Sequence, residues 1–143
     1  MNDCIFCKIV NGELPCNKLY EDSDILAFMD IQPVNSGHLL IIPKVHVELI
    51  ADVDDNVITK MNLLAKRLNT AIRNSGIKVE GINFFLADGE AAGQEVFHVH
   101  LHVFPRFKGD GFGFIFPDDY KTRPERDELK IISEKIKSAL NSF

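Results

Sequence analysis

The feature of the sequence that most restricts its fold is the alternation of histidine and apolar residues in FHVHLHVFPR, residues 97–106. Three of the chain's five histidines, His98, His100 and His102, occupy every second position there. Successive side chains of a β-strand point to opposite faces of its sheet. The pattern therefore predicts a strand that turns a row of imidazoles to one face and the intervening valine and leucine side chains into a core.

The length and composition of the chain restrict its class. Its 143 residues predict a single domain, 1–143, that is large enough to bury a core. A net charge of −5 argues against a nucleic-acid partner, which usually needs a basic face, but a local pocket can still bind a small nucleotide. The sequence contains no run of eighteen apolar residues and no signal pattern at its start, so it predicts a cytoplasmic protein without a membrane partner.

Hydrophobic periodicity and turn residues predict an α+β fold. Helical spacing of apolar residues predicts one long helix over 56–74 and another that begins near Pro124. Short connections between the strands favour an antiparallel, meander-like sheet of about five strands with helices packed on one face. The glycine-rich segment 108–120 is predicted to be a loop. The five predicted strands are KLYED, DILAFMDI, HLLIIP, INFFLAD and FHVHLHVFP.

The histidine row admits three interpretations. It is a structural feature, a set of metal ligands, or a catalytic site in which a neutral imidazole acts as nucleophile and a protonated one donates to a leaving group. The structural interpretation is the weakest, because each of three adjoining imidazoles would need its own hydrogen-bond partner. The catalytic interpretation gains from the nearby loop, where Gly93 permits close backbone approach and the N–H groups beside Gln94 and Val96 could hold phosphate oxygens.

The three cysteines, Cys4, Cys7 and Cys16, are too few and too clustered for a disulfide framework. Cys4 and Cys7 form a C-x-x-C pair, which indicates metal or redox chemistry in a reducing compartment. The alternative for this pair is a role as small packing residues.

Several motifs resemble those of one known family. HVHLHVF, with AGQEVF before it and PR after it, resembles the motif of the histidine triad (HIT) family of nucleotide hydrolases and transferases. The resemblance extends upstream through LAFMDIQPVNSGHLLIIPKVH and covers roughly residues 4–106. It implies a HIT-like fold and cleavage of a nucleotide through a covalent nucleotidyl-histidine.

The resemblance assigns catalytic roles to four histidines. His100 is implied to attack the α-phosphorus, and the backbone carbonyl of His98 to accept the Nδ1 proton of His100. His102 is implied to contact the phosphate and the departing group, and His38 to support the site from the adjacent strand. A covalent route of this kind divides one hard displacement into two easier ones.

The same resemblance places the nucleoside and the phosphate. Asp30 is implied to accept both ribose hydroxyls, with a cap of the turn before Pro33 as its alternative role. The phosphate loop carries Glu95 where many relatives have a small hydroxyl residue, so Glu95 is expected to point outward or to meet a cationic leaving group. The implied base slot consists of Phe6, Ile9, Phe28 and Ile31, which are otherwise core residues, and the implied phosphate loop of Gly93, Gln94, Glu95 and Val96.

Some bacterial members of the family bind structural zinc, and the resemblance implies one Zn²⁺ per chain here with no organic cofactor. Its ligands would be Cys4, Cys7, His46 and His98, a Cys₂His₂ set suited to tetrahedral zinc. The alternative for His46 is a surface residue near a helix start. Cys16 is left without a role.

The function implied is hydrolysis of a nucleoside phosphoramidate or of a nucleotidyl, adenylate-type bond, with a purine nucleotide, expected to contain adenosine, as substrate. One alternative is hydrolysis of dinucleoside polyphosphates. The other is a nucleotide-binding or scaffold protein with weak activity, because Ala87 stands where many members have a phosphate-contacting asparagine. Family members are commonly two-fold dimers, so a homodimer is expected.

Overall fold

A computed structural model describes residues 3–142 of the chain. These residues form two compact units, the first ending at Phe112 and the second beginning at Gly113. The single domain predicted over 1–143 stays a prediction.

The first unit contains a five-stranded antiparallel sheet with the spatial order β1-β2-β3-β5-β4. The predicted α+β fold is therefore confirmed, and strand order departs from chain order only where β5 enters between β3 and β4. The strands are β1 (Lys18–Glu21), β2 (Ile25–Met29), β3 (Leu39–Pro43), β4 (Gly81–Phe85) and β5 (Leu101–Arg106), and the helices of this unit are α1 (Ile5–Val10) and α2 (Asp55–Asn74). Single 3₁₀ turns lie at Ile50–Asp52 and Glu90–Ala92.

The sheet packs on both of its faces, so the prediction of helices on one face alone is wrong, because α1 covers the face opposite α2. On β2, Ile25 and Ala27 point into the larger cluster, which includes Met61 of α2, whereas Leu26 and Phe28 point into a smaller cluster with Phe6 of α1. Both sets are apolar because the strand is covered on both sides, so β2 does not show a simple alternation of apolar and polar residues.

The long helix α2 begins and ends at recognisable cap residues. The Asp54 carboxylate accepts a hydrogen bond from the Asn56 N–H at 2.8 Å, and the chain leaves the helix at Ser75 and Gly76, whose φ of 81° suits glycine. The helix predicted over 56–74 is confirmed. By contrast, α1 was missed, because six residues without a side-chain cap give little periodicity.

The strand predicted over 97–105 is shorter in the structure, where β5 begins at Leu101. The register pairs Ile41 with Leu101, so continuation of the ladder would place Pro43 opposite Val99. Proline has no N–H to donate to a ladder. Val99 donates instead to the carbonyl of Val47 at 2.7 Å. His98 and His100 therefore lie in the segment just before the strand, outside the ladder.

The second unit contains helix α3 (Arg126–Leu140), close to the helix predicted from Pro124. Its apolar stripe is exposed and consists of Leu129, Ile132, Ile136 and Leu140. The loop predicted over 108–120 has neither helix nor strand and carries a stacked pair, Phe116 and Tyr120, with ring centroids 4.1 Å apart. Among residues 3–142, no helix combines the length and apolarity needed to cross a membrane.

Candidate active site

Of the three alternating histidines, His98 and His100 lie just before β5 and His102 is its second residue. His102 pairs across the sheet with Leu40 of β3, and its ring centroid lies 4.8 Å from that of His100. The ring of Phe6 contacts both His98 and His100 edge-on, at centroid distances of 5.8 Å and 5.2 Å. The aliphatic residues between the histidines enter the larger core cluster on the opposite face, and they are Val99, Leu101 and Val103.

A backbone carbonyl fixes the protonation of His100. Its Nδ1 lies 2.8 Å from the carbonyl oxygen of His98. A carbonyl oxygen can only accept, so Nδ1 carries the proton and Nε2 carries the lone pair. A neutral imidazole held in this tautomer presents Nε2 as a nucleophile.

A second hydrogen-bond chain fixes the protonation of His102. The backbone N–H of Val34 donates to Nδ1 of His38 at 3.0 Å, which places the His38 proton on Nε2. His38 Nε2–H then donates to Nδ1 of His102 at 2.9 Å. The proton of a neutral His102 must therefore lie on Nε2. His100 and His102 are thus held in opposite tautomers, with a lone pair on Nε2 of His100 and a proton on Nε2 of His102.

Burial keeps His38 and His102 neutral. It lowers the pKa of His102 to about 4, with the neighbouring His100 and His38 acting in the same direction and Asp30 against it. Burial also lowers the pKa of His38, partly offset by Asp30. Both side chains are therefore neutral at pH 7, in agreement with the tautomers that their hydrogen bonds require.

Asp30 lies at the edge of this cluster. Its Oδ1 accepts the Gln32 N–H at 2.8 Å, which is the turn-capping alternative. Its Oδ2 lies 3.5 Å from His38 Nε2 and 3.9 Å from Nδ1 of His102. The carboxylate therefore caps a turn with one oxygen and faces the histidines with the other.

Three of the four residues predicted for the base slot come together. Phe6 and Phe28 pack edge-on with centroids 5.9 Å apart, and Ile9 packs against the same cluster. Ile31, in contrast, is 86% exposed and makes no contribution to that cluster. Its role in base binding stays a prediction that depends on a bound nucleotide.

The loop before the histidines is braced from within. Gly93 has a φ of 89°, a conformation that favours glycine. The backbone N–H of Gln94 donates to the Gly89 carbonyl at 3.2 Å, and its buried side chain bonds Gly89, Glu48 and Val96. Gln94 is therefore engaged within the protein through both its N–H and its side chain, and the role of this loop in binding phosphate stays a prediction. The next residue, Glu95, is exposed.

The four predicted metal ligands also lie together. One donor atom from each of Cys4, Cys7, His46 and His98 lies within 4.8 Å of all the others. His98 Nε2–H donates to the carbonyl of Pro43 at 2.8 Å, so its Nδ1 carries a lone pair. That atom lies 3.5 Å from the Cys4 Sγ and 3.7 Å from the Cys7 Sγ. The donor set and the His98 tautomer fit a tetrahedral Zn²⁺.

A second group of possible ligands fits a metal less well. Donor atoms of Asp30, His38 and His102 also lie within 4.8 Å of one another. The Val34 N–H, however, occupies the lone pair on Nδ1 of His38 and leaves its proton on Nε2, the atom that faces the group. This proton is in the position that a metal would need, so the group is suited to hydrogen bonding.

Comparison with known proteins identifies the family. The protein-family model described as "HIT domain" matches residues 11–109, which is more than half of the chain. The chain belongs to the HIT family. The resemblance inferred from HVHLHVF is therefore confirmed.

Curated relatives of this HIT chain match it over most of its length. A HIT-like protein of Borreliella burgdorferi is 53% identical over 116 residues, covering 80% of this chain and 83% of the relative. The protein hit of Bacillus subtilis is 43% identical over 144 residues, covering 98% and 96% respectively. The adenosine 5′-monophosphoramidase of Schizosaccharomyces pombe is 38% identical over 138 residues, covering 96% and 98%.

Solved structures of the family share the fold. A HIT family protein of Bacillus subtilis superposes with a TM-score of 0.84 at 39% identity and covers 95% of this chain and 96% of its own. A Zn-bound histidine triad protein of Mycobacterium smegmatis has a TM-score of 0.74 at 37% identity and covers 96% and 98%.

Two groups that organise the site of this HIT domain were missed by sequence reasoning. They are the N–H of Val34 and the carbonyl of Pro43, which fix the tautomers of His38 and His98. Both are backbone groups, so no residue type signals them. Only the end of β3 at Pro43 gave a hint, because it leaves a carbonyl outside the ladder.

Proposed function

We propose that this HIT-family hydrolase cleaves a nucleoside phosphoramidate or a nucleotidyl, adenylate-type bond through a covalent nucleotidyl-histidine. The observation that carries the proposal is the hydrogen bond from His100 Nδ1 to the His98 carbonyl, which presents a neutral Nε2 as nucleophile. The similarity to an adenosine 5′-monophosphoramidase supports the phosphoramidate as the first substrate to test.

In the first step, Nε2 of His100 attacks the α-phosphorus and the bond from phosphorus to the leaving nitrogen or oxygen breaks. The Nε2–H of neutral His102 donates a hydrogen bond to the leaving atom, which takes its proton from the solvent, so the leaving group departs as a neutral amine or acid and His102 stays neutral. In the second step, water attacks the phosphorus, the bond from phosphorus to Nε2 of His100 breaks, and the proton of the water returns to the solvent. The products are a nucleoside monophosphate and the starting tautomers of both histidines.

The nucleoside is proposed to lie against the α1 side of the sheet. Phe6, Phe28 and Ile9 supply the apolar contact that a purine needs, and Ile31 would cover the base once a nucleotide is bound. The Oδ2 of Asp30 is proposed to accept the ribose hydroxyls, since Oδ1 already caps the turn. Gly93, Gln94, Glu95 and Val96 lie on the loop proposed to face the phosphate.

We further propose that Cys4, Cys7, His46 and His98 hold one structural Zn²⁺. When bound, the ion would supply tetrahedral cross-linking of α1 to the triad segment and no chemistry. The Zn-bound neighbour from Mycobacterium smegmatis supports this proposal. Because the side chain of His98 is used here, its catalytic contribution is its backbone carbonyl alone.

We also propose that the protein is a cytoplasmic homodimer. Neither nucleic acid nor a membrane is proposed as a partner. β4 lies at an edge of the sheet and exposes Phe84 and Phe85, a combination that an associating strand could cover. Sedimentation at micromolar concentration should show a dimer, and a fully active monomer would contradict it.

The proposed activity is tested by assaying adenosine and guanosine phosphoramidates beside dinucleoside polyphosphates, with the wild type and His100→Ala. Turnover of a phosphoramidate that is lost in the variant supports the proposal. Faster turnover of dinucleoside polyphosphates favours the alternative hydrolase. Tight nucleotide binding without turnover favours a binding or scaffold protein. This alternative arises because the small, buried Ala87 stands where many members have a phosphate-contacting asparagine.

A further inference from the structure

One carboxylate outside the proposed machinery is almost completely enclosed. The side chain of Asp110 is only 3% exposed, although it lies in a turn after β5. Arg106 binds it with both Nε, at 2.6 Å, and a terminal nitrogen, at 2.9 Å. The backbone N–H groups of Phe107 and Phe112 donate to it at 3.4 Å and 3.1 Å. This amount of bonding is unusual for a surface turn and suggests a task beyond local capping.

Asp110 connects this turn to the loop that carries His38. Asn35 Nδ2 donates to the Asp110 carboxylate at 2.9 Å and to the carbonyl of Pro105 at 2.9 Å. The same loop packs tightly there, since a Cβ on Gly37 would lie only 3.0 Å from the Pro105 ring. The loop is therefore held against the end of β5 by one side-chain amide and close packing.

The anchored loop is the one that orients His38. The carbonyl of Asn35 accepts the His38 N–H at 3.1 Å, and the preceding residue, Val34, donates its N–H to the His38 ring. A movement of Asn35 would therefore move both backbone groups that hold His38. A second route leads to the same ring, because Phe112 packs on Phe104 at 5.4 Å and Phe104 packs on His38 at 4.8 Å.

We propose that Asn35 and Asp110 are positioning residues that hold the loop around His38, and thereby fix the tautomer of His102. The assignment rests on the proposed function in so far as the Nε2 proton of His102 serves the leaving group. It adds residues that lie outside the histidine row.

The electrostatics of the cluster agree with a fixed anion. Hydrogen bonds from Arg106 hold the pKa of Asp110 well below its usual range, with the Phe112 N–H and Asn35 acting in the same direction. Asp110 therefore stays a charged acceptor throughout the pH range in which the enzyme would work. A charged acceptor orients the Asn35 amide more firmly than a neutral one.

The test uses the full-length protein and three variants. Asn35→Leu removes the amide at similar volume, and Asp110→Asn removes the charge. Asp118→Asn is the matched control, because Asp118 is exposed in the second unit. The first readout is ¹⁵N NMR of the His102 ring without substrate, which distinguishes a proton on Nε2 from one on Nδ1. The second is kcat and KM for adenosine phosphoramidate, with a thermal melt to confirm folding.

We expect the wild type and the control to show a single Nε2–H tautomer at His102. Asn35→Leu and Asp110→Asn should show a mixture, with kcat lowered about tenfold and KM changed by less than about twofold. If Asp110→Asn does not fold, Asn35→Leu alone decides the test. If neither variant folds, the same measurements are made on Asn35→Asp. A single unchanged tautomer and unchanged kcat in a folded variant would overturn the proposal.

The NMR readout separates this proposal from the proposed function. If the wild type turns over no substrate but the His102 tautomer still responds to Asn35→Leu, the activity is wrong and the positioning stands. If the wild type is active and the tautomer does not respond, the positioning is wrong and the activity stands.

Discussion

His100 is oriented by the backbone of His98, through the 2.8 Å hydrogen bond from its Nδ1 to the His98 carbonyl. The side chain of His98 points elsewhere, with Nε2 on the Pro43 carbonyl and Nδ1 beside two thiols. One residue of the triad therefore serves the proposed chemistry through its main chain and the proposed metal site through its ring. This division makes the two sites separable by mutation.

Covalent labelling should identify His100 as the nucleophile. Brief incubation with a labelled adenosine substrate, followed by an alkaline quench in which phosphohistidine survives, should leave the label on His100. His100→Ala should abolish the label and the turnover while nucleotide binding persists, because Asp30 and the apolar slot are unchanged. Peptide mapping locates the label, and its presence on His98 or His102 would contradict the assigned roles.

Removal of the thiols should reduce stability more than activity. Metal analysis of wild-type protein should find about one zinc per chain, because four ligand atoms converge there. The double variant Cys4→Ser, Cys7→Ser should lose the metal and melt at a lower temperature, since metal binding stabilises only the folded chain. Cys16→Ser is the matched control and should keep both. Metal-free wild type whose melting temperature ignores added zinc would exclude the site.

Acid should destabilise the protein partly through His102. Its folded pKa of about 4 lies below the ordinary value of 6.5, so the unfolded chain binds a proton first as the pH falls. The part of the free energy of unfolding that depends on a neutral His102 is fully present above pH 6.5 and is lost as the pH falls towards 4. It amounts to at most about 3 kcal/mol. Denaturant unfolding between pH 6.5 and pH 4 should show a smaller loss of unfolding free energy in His102→Gln than in the wild type. Equal losses would show that His102 is not held neutral.

Truncation of two isoleucines should affect the free energy of unfolding to very different extents. Ile41→Ala removes a side chain with 0% exposure and should lower the free energy of unfolding by about 3 kcal/mol. Ile31→Ala alters a side chain that is 86% exposed and should change it by less than about 0.5 kcal/mol. If Ile31 covers the base of a bound nucleotide, its variant should instead raise KM. An unchanged KM would remove Ile31 from the proposed slot.

The sequence predicted the elements with a clear period and the clustering of chemically distinctive side chains. Helix α2 and the five strands follow from hydrophobic spacing, and the two groups around His100 and Cys4 follow from motifs. Residues of this kind can be recognised from the sequence because few other roles suit an imidazole row or a C-x-x-C pair. Their grouping in space is what the structure adds.

What could not be predicted depends on register and on backbone groups. The late start of β5 follows from the position of Pro43 opposite Val99, which becomes visible only once the strands are aligned. The tautomer of His38 depends on the Val34 N–H, and the tight carboxylate site of Asp110 depends on a turn that brings Arg106 and Asn35 together. Such relationships arise from tertiary structure and leave no local pattern.

The pairing of Leu40 with His102 has a consequence for the folding of the chain. Because side chains alternate between the faces of a sheet, a slip of one residue between β3 and β5 would turn His102 into the aliphatic core and turn Leu101 or Val103 outward. Burial of an imidazole without a partner is costly, so such a misaligned chain would be unstable as well as inactive. The histidine row thus makes incorrect strand alignment unfavourable, and quality control that removes unstable chains would remove the inactive ones with them.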